Sequence, residues 1–155
     1  MKIRHFTHGD EAALFRVYFS AIHKIASRDY TQEQINAWAP IGMDQKRWAQ
    51  RMQGIRPFVV ELHGEIVGYG DIQANGYIDH FFVSGCHPRQ GIGALLMSRI
   101  HDEAEALRLK EMTSNVSLTA QPFFEHYGFQ VIERRNVELG GVMLPNALMR
   151  KILFL

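Results

Sequence analysis

The run Val83-Ser84-Gly85-Cys86-His87-Pro88-Arg89-Gln90-Gly91-Ile92-Gly93-Ala94-Leu95-Leu96 is where this chain is chemically most informative. An aromatic, β-branched stretch ends at Val83, a polar turn follows, and Gly91 and Gly93 open an amphipathic helix. A helix entrance carries backbone N–H groups with no intrahelical partner. Here the glycines leave those groups unobstructed, and Arg89 and Gln90 flank them. Such a site binds a diphosphate or a similar polyanion. The same glycines also have a purely structural use, in a tight turn and close helix–sheet packing.

Rival chemistries find less support. Cys86 beside His87 suggests an acyl-cysteine route, but neighbours in sequence do not make a hydrogen-bonded pair. The eight histidines are scattered and none forms a His-x-x-x-His pair. A dinucleotide fingerprint needs G-x-G-x-x-G inside a parallel β-α-β unit. Leu96 stands where the third glycine belongs, and the Gly-Lys-Ser/Thr of a P-loop is missing.

The chain that must position this loop has 155 residues, 46% of them hydrophobic and 11% aromatic. That suits one well-cored domain over residues 1–155. Seventeen basic and 16 acidic residues leave a net charge of +1. No broad field draws the chain onto nucleic acid or an anionic membrane, so an anion must be bound locally. A single cysteine permits no intrachain disulfide. The N-terminus lacks the apolar core of a signal peptide and no run reaches the length of a membrane span. A cytoplasmic protein is expected.

Along the sequence, residues 2–7 read as a strand. Ala13, Leu14, Val17, Tyr18, Ala21, Ile22 and Ile25 then follow helical spacing until Ser27-Arg28-Asp29-Tyr30 breaks it. Thr31 with Gln34 suits a capping box for a helix through Trp38, and residues 44–52 read as another short helix carrying Trp48. Strands are predicted at 58–62, 66–73 and 77–83, with turns at His63-Gly64-Glu65 and Asn75-Gly76. Ile92, Leu95, Leu96, Ile100, Ala104 and Leu107 trace the apolar face of the long helix. A strand at 111–117, a helix at 119–127 stopped by Gly128, and a hairpin of 129–138 and 142–152 turned at Gly140-Gly141 complete the pattern. The order is β-α-α-α-β-β-β-α-β-α-β-β, an α/β domain whose mixed sheet cannot be wholly parallel.

At these residues the chain resembles the GNAT superfamily of acyl-CoA-dependent N-acyltransferases. Gly91-Ile92-Gly93 matches the second half of that family's (Gln/Arg)-x-x-Gly-x-(Gly/Ala) motif. His63-Gly64-Glu65-Ile66-Val67-Gly68-Tyr69 is similar to its usual hairpin. Ala120-Gln121-Pro122-Phe123-Phe124-Glu125-His126-Tyr127-Gly128-Phe129 resembles its late A-x-x-F-(Y/F)-E-x-x-G-F segment. Asn146 to Lys151 is similar to its closing strand. There are two departures. The family's Gln/Arg position falls on Pro88, with Arg89 or Gln90 as substitutes. Its frequent tyrosine aligns with Phe124, which has no hydroxyl.

The resemblance implies acetyl-CoA as acyl donor and direct acetyl transfer to a primary amine, on a small molecule or on a protein. It implies a cofactor-binding set of Phe81, Phe82, Val83 and Ser84 on the strand, with backbone groups of Phe81 and Val83 holding the pantetheine arm. Arg89, Gln90, Gly91, Ile92, Gly93 and Ala94 follow at the helix entrance, with Ser117 and Phe124. A homodimer stays open. Amine attack requires a proton to leave nitrogen, because a lysine-like amine has a pKa of about 10.4. Asp79 and His80 are the candidate bases, and strand alternation turns only one of them toward the acyl group. Tyr127, one helical turn past Phe124, is the candidate acid. Each has a plainer alternative as a packed or locally paired residue. Tyr30, Trp38 and Trp48 fall in the expected acceptor wall, either lining it or anchoring helices. The missing tyrosine at Phe124 motivates a second reading, a non-catalytic acyl-CoA sensor on the same scaffold.

Overall fold

The computed structural model describes residues 1–154. Eight strands form two four-stranded sheets that share no ladder. Strands β1 (Lys2–His5), β2 (Phe58–Leu62), β3 (Glu65–Gly70) and β5 (Phe81–Val83) pair antiparallel in the order β1-β2-β3-β5. In the other sheet, ordered β4-β6-β8-β7, β4 (Tyr77–Ile78) runs parallel to β6 (Glu111–Ser117). The hairpin β7 (Gln130–Leu139) and β8 (Val142–Ile152) completes it.

Helices cover both faces of the first sheet. Helix α4 (Ile92–Ala106) buries Ile92, Leu96, Met97, Ile100 and Ala104 against Phe58 and Val60. Its close approach depends on Gly68, where a Cβ would lie 2.6 Å from Ile92 Cγ2. On the opposite face, Val59 and Tyr69 meet Leu14, Val17, Tyr18, Ile35, Trp48 and Met52. Those residues come from α1 (Glu11–Ser20), α2 (Gln32–Trp38) and α3 (Gln45–Ile55). The Thr31–Gln34 capping box forms in both directions. A short α5 (Gln121–His126) follows β6. Gly140 and Gly141 both take positive φ, 54° and 81°, the conformation of a two-residue hairpin turn.

The structure corrects the expected pattern in five places. The helix expected to run through Ile25 leaves α geometry after Ser20, widening into a π-helical turn at Ala21–Ile25 and then a 3₁₀ turn at Ala26–Arg28. Strand β3 ends at Gly70 rather than residue 73. Leu107 caps α4 and is exposed, while Met97 takes a core position instead. The third strand of the meander, expected as one piece over 77–83, is cut at Asp79-His80. Its first half pairs in the second sheet and its second half in the first. Helix α5 is also shorter than the 119–127 expected.

Candidate active site

A cleft of about 580 Å³ opens where β5 and the entrance of α4 face the π-helical turn and the start of α5. Ile22 and Ile25 line one wall, and Phe81, Val83 and Phe123 contribute apolar surface. Residues 87–94 supply one whole side.

The edge of β5 that borders this cleft is unpaired for a geometric reason. Ser84 N–H donates to Val67 C=O at 2.8 Å, and His80 C=O accepts from Asp71 N–H at 3.1 Å. Alternate residues direct their backbone groups to the same side of a strand. His80, Phe82 and Ser84 therefore face β3, and Phe81 and Val83 turn their N–H and C=O groups to the other edge. An extended, amide-bearing ligand can add there as another strand would.

At the far end of that edge, the loop bends sharply. Arg89 and Gly91 both take positive φ, 58° and 77°, and Gly91 is the N-cap of α4. The first backbone bond of the helix runs from Leu95 N–H to Gly91 C=O. Among the described residues, the N–H groups of residues 89–94 find no protein acceptor. The loop is pinned beneath by Gly85, whose N–H donates to Ser20 Oγ at 3.0 Å. A Cβ on Gly85 would stand 2.5 Å from Ser20 O, so only glycine allows the helix to come this close.

A second, narrower cleft of about 170 Å³ adjoins the first. The two share Trp38, Phe82 and Ser117. Asp79, His80, Tyr18, Tyr30, Asn115 and Asn146 line the narrow one. Both phenols already donate to carbonyls, Tyr18 to Trp38 O at 2.9 Å and Tyr30 to Pro145 O at 2.5 Å. Burial raises the pKa of each, so neither is a free acid.

Asp71 explains why both Asp79 and His80 reach this cleft. Its carboxylate is 1% exposed. Oδ1 accepts from Asp79 N–H at 2.9 Å and His80 N–H at 2.6 Å, and Oδ2 accepts from Gln73 Nε2 at 2.6 Å. Two successive N–H groups turned to one oxygen cannot belong to a regular strand, and the chain changes sheets at that point. The expectation that only one of Asp79 and His80 could face the site assumed unbroken alternation, which this break between β4 and β5 removes. Burial pushes the Asp71 carboxyl up to about 6, against the hydrogen bonds it accepts.

The two candidates differ in setting. Asp79 Oδ2 accepts from Arg51 Nη2 at 2.6 Å and Nε at 3.1 Å. His80 sits among the rings of Tyr18, Trp48, Tyr69 and Phe82, with centroids 5.6–5.9 Å away. Its Nδ1 lies 2.9 Å from Tyr69 Oη. Burial drives the imidazole pKa down to about 4, with Asp79 opposing and Arg51 assisting, so the ring is neutral near pH 7.

The family model of the acetyltransferase (GNAT) domain covers residues 26–152. The chain belongs to the GNAT acetyltransferase family. It is 34% identical over 151 residues to YafP of Escherichia coli K12, an uncharacterized N-acetyltransferase, covering 97% of this chain and 95% of that one. A GCN5-related N-acetyltransferase from Rhodopseudomonas palustris superposes with a TM-score of 0.93 at 26% identity, over 98% of this chain and 95% of that one. A GNAT phosphinothricin acetyltransferase from Sinorhizobium meliloti, solved in complex with acetyl-CoA, shares the fold with a TM-score of 0.74. Its identity is 16%, over 99% of this chain and 88% of that one.

Against the GNAT pattern, the sequence-derived residues fall into three groups. Phe81, Phe82, Val83, Ser84, residues 89–94 and Ser117 all line the broad cleft. Asp79 and His80 line the narrow one. Phe124 and Tyr127 line neither. Phe124 is 3% exposed in the core, and Phe123 takes the cleft position beside it. Tyr127 packs on Phe123 and His101 at the far end of α5, because one helical turn carries it away from the cleft. Cys86 does not line the cleft. Lys24 Nζ contacts its Sγ at 3.0 Å, and His87 pairs through Nδ1 with Ser84 Oγ instead. The tryptophans divide: Trp38 lines both clefts, whereas Trp48 is buried with its Nε1–H on Glu11 O at 2.8 Å.

Several contributors escaped the sequence reading. Ile22 and Ile25 read as ordinary helix-face residues, since nothing local announces a π-helical turn. Thr119 and Asn146 carry buried side-chain oxygens without partners among the described residues and line the broad and narrow cleft respectively. Asp71 had a signal: a carboxylate directly after the apolar run Ile66–Gly70 has to be satisfied by something if it is buried.

Proposed function

We propose that this GNAT acetyltransferase moves the acetyl group of acetyl-CoA to a primary amine by direct attack within a ternary complex. The reading is carried by one juxtaposition: the broad cleft, with unpaired N–H groups at the mouth of α4, meets the narrow cleft that holds Asp79 and His80. Bound acetyl-CoA supplies an activated thioester carbonyl. The chain's own groups do the rest. Backbone N–H groups of residues 89–94 hold the diphosphate, with Arg89 and Gln90 beside it. Phe81 and Val83 bind the amide-bearing arm along the free edge of β5, and Ser117 lies where the arm reaches the junction.

The narrow cleft then receives the amine. A nitrogen–carbon bond forms as the carbon–sulfur bond breaks, and sulfur leaves with the electron pair. The proton lost by nitrogen balances the one gained by sulfur. Asp79 and His80 are the groups placed to manage that exchange. Holding both reactants at a fixed junction supplies much of the acceleration. Acetylation requires an amine able to enter a cleft of this size, on a small molecule or on an extended protein end.

The test is calorimetric titration with coenzyme A, followed by free-thiol release from acetyl-CoA across a panel of primary amines. Coenzyme A should bind, and at least one amine should accelerate thiol release far above hydrolysis. Binding without acceleration by any amine would overturn the transferase reading in favour of a sensor. Absence of binding would overturn the cleft assignment itself.

A further inference from the structure

We infer that the buried hydroxyl of Tyr69 fixes the proton of His80 on Nε2, making His80 a hydrogen-bond donor to the acyl oxygen and leaving Asp79 as the proton acceptor. This inference rests on the proposed transferase reaction and assigns the two candidate residues opposite roles.

The hydrogen inventory decides the tautomer. Tyr69 is 0% exposed, and among the described residues its hydroxyl has one partner, His80 Nδ1 at 2.9 Å. Burial raises the phenol pKa, so its hydrogen stays on oxygen. That hydrogen needs an acceptor, because a buried donor without one carries its full desolvation penalty. Nδ1 serves only if it carries no hydrogen of its own. In a neutral imidazole the remaining proton must then be on Nε2. The opposite tautomer points Nδ1–H at the phenol oxygen and strands the phenol hydrogen among apolar rings.

Surroundings rule out a remedy from other polar groups. His80 is packed by Tyr18, Trp48 and Phe82 as well as Tyr69. The charged side chains nearby, Asp79 and Arg51, are paired to each other rather than to the ring. The hydroxyl of Tyr18 is committed to Trp38 O. Asp71 reaches His80 only through its backbone N–H, which holds the residue in place without touching the imidazole.

With Nε2 protonated, His80 has no lone pair in the cleft with which to take a proton from an amine. A neutral N–H is suited to an oxygen that gains negative charge, as when a tetrahedral centre forms at a thioester. Asp79 is differently equipped. Arg51 occupies Oδ2, and among the described residues Oδ1 has no hydrogen-bond partner. The amine's proton passes to that carboxylate, directly or through water, and onward to the sulfur as its bond to carbon breaks. Tyr69 is thus a positioning residue: it touches no substrate and acts through the ring it orients.

Nitrogen-15 NMR of histidine-labelled protein without ligand tests the assignment independently of turnover. His80 should show Nδ1 as the bare nitrogen and Nε2 as the protonated one. Tyr69→Phe should erode that preference toward a mixture. Protonated Nδ1 in the wild type would overturn the inference. Kinetics give the second arm. His80→Gln keeps an N–H donor but no base, so it should retain most of kcat, while His80→Ala should lose about 100-fold, the size of one lost donor to a developing oxyanion. KM for acetyl-CoA should hardly move in either. Equal collapse of both variants would make His80 the base and refute the division of roles. Failure of coenzyme A to bind at all would instead refute the transferase reading, leaving the NMR result to stand alone.

Discussion

The two clefts that meet at Trp38, Phe82 and Ser117 are built from different materials. The broad one presents backbone: unpaired N–H groups at the mouth of α4 and the open edge of β5. Its side chains mostly shape an apolar wall. The narrow one presents side chains, Asp79, His80, Asn115 and Asn146, set into aromatic surroundings. On the proposed function, the backbone donors would bind what every acyl-CoA shares, a diphosphate and two amides, and the side chains would bind what varies and what reacts. A generic grip would then be separate from a particular chemistry, with the sheet break at Asp79-His80 as the boundary.

If that separation holds, damage on each side should have a distinct signature. The largest effect should come from Gly91→Asp. A Cβ at Gly91 meets nothing closer than Met1 Cε at 3.9 Å, and aspartate tolerates positive φ better than most residues. Its carboxylate would nevertheless oppose an anion at the helix mouth. Coenzyme A affinity should fall by about 100-fold or more, equivalent to roughly 3 kcal/mol, with Gly91→Asn much less affected. Equal losses in both would indicate backbone strain rather than charge.

Next in size is Asp71→Ala, which should injure only the narrow cleft. It strips the acceptor from two adjacent N–H groups, at a cost of about 2–4 kcal/mol in stability. The backbone between β4 and β5 should relax, and kcat should drop at least about tenfold as Asp79 and His80 lose their placement. Coenzyme A affinity, measured by titration, should stay within about twofold of the wild type. A parallel loss of affinity would show that the two clefts are not separable.

A smaller effect concerns pH. The folded-state pKa of His80 is near 4, below its ordinary 6.5. The native state resists protonation there, so this residue costs nothing above about pH 6.5 and destabilises the fold progressively as pH falls toward 4. The ceiling is about 3 kcal/mol. Asp71 has the opposite sign: its folded pKa near 6 lies above 3.8, so its penalty is full above pH 6 and disappears as the pH falls to about 3.8. The two largely cancel in the wild type. His80→Gln removes one side, so denaturant titrations should show the variant gaining stability relative to wild type between pH 6.5 and 4. A constant difference across that range would mean that His80 is not held neutral.

The smallest change expected is that of Gly85→Ala, the pin beneath the loop. The added methyl meets Ser20 O and Lys24 Cβ, within 2.8 Å or less. A loss of about 1–3 kcal/mol is expected from overpacking, with weaker coenzyme A binding than in a Gly42→Ala control, where nothing lies within 4 Å.

How much of this was legible in sequence follows the same division. The glycine loop, the helix face of α4, the capping box at Thr31 and the turn at Gly140-Gly141 are local patterns, in which neighbours in sequence decide the conformation. They could be read directly. The narrow cleft is assembled from α1, α2, β5, β6, β7 and β8, and sequence spacing does not bring Asp71 to Asp79 or Tyr69 to His80. Strand alternation describes the backbone of Phe81 and Val83, and as a rule for Asp79 and His80 it failed because the buried Asp71 carboxylate holds both of their N–H groups. Tyr127 was placed by helical spacing alone. Spacing gives the face of a helix but not whether its end still overlooks the cleft, and α5 is too short to do so.

The central claim is that α4's unpaired N–H groups hold a diphosphate while the adjoining edge of β5 directs the thioester to Asp79 and His80. A crystal structure with coenzyme A bound tests it most directly. Diphosphate oxygens within hydrogen-bond distance of the N–H groups of residues 89–94, the arm paired to Phe81 and Val83, and sulfur at the junction beside Trp38, Phe82 and Ser117 are the predicted result. A diphosphate seated away from the mouth of α4, or sulfur directed away from that junction, would contradict it.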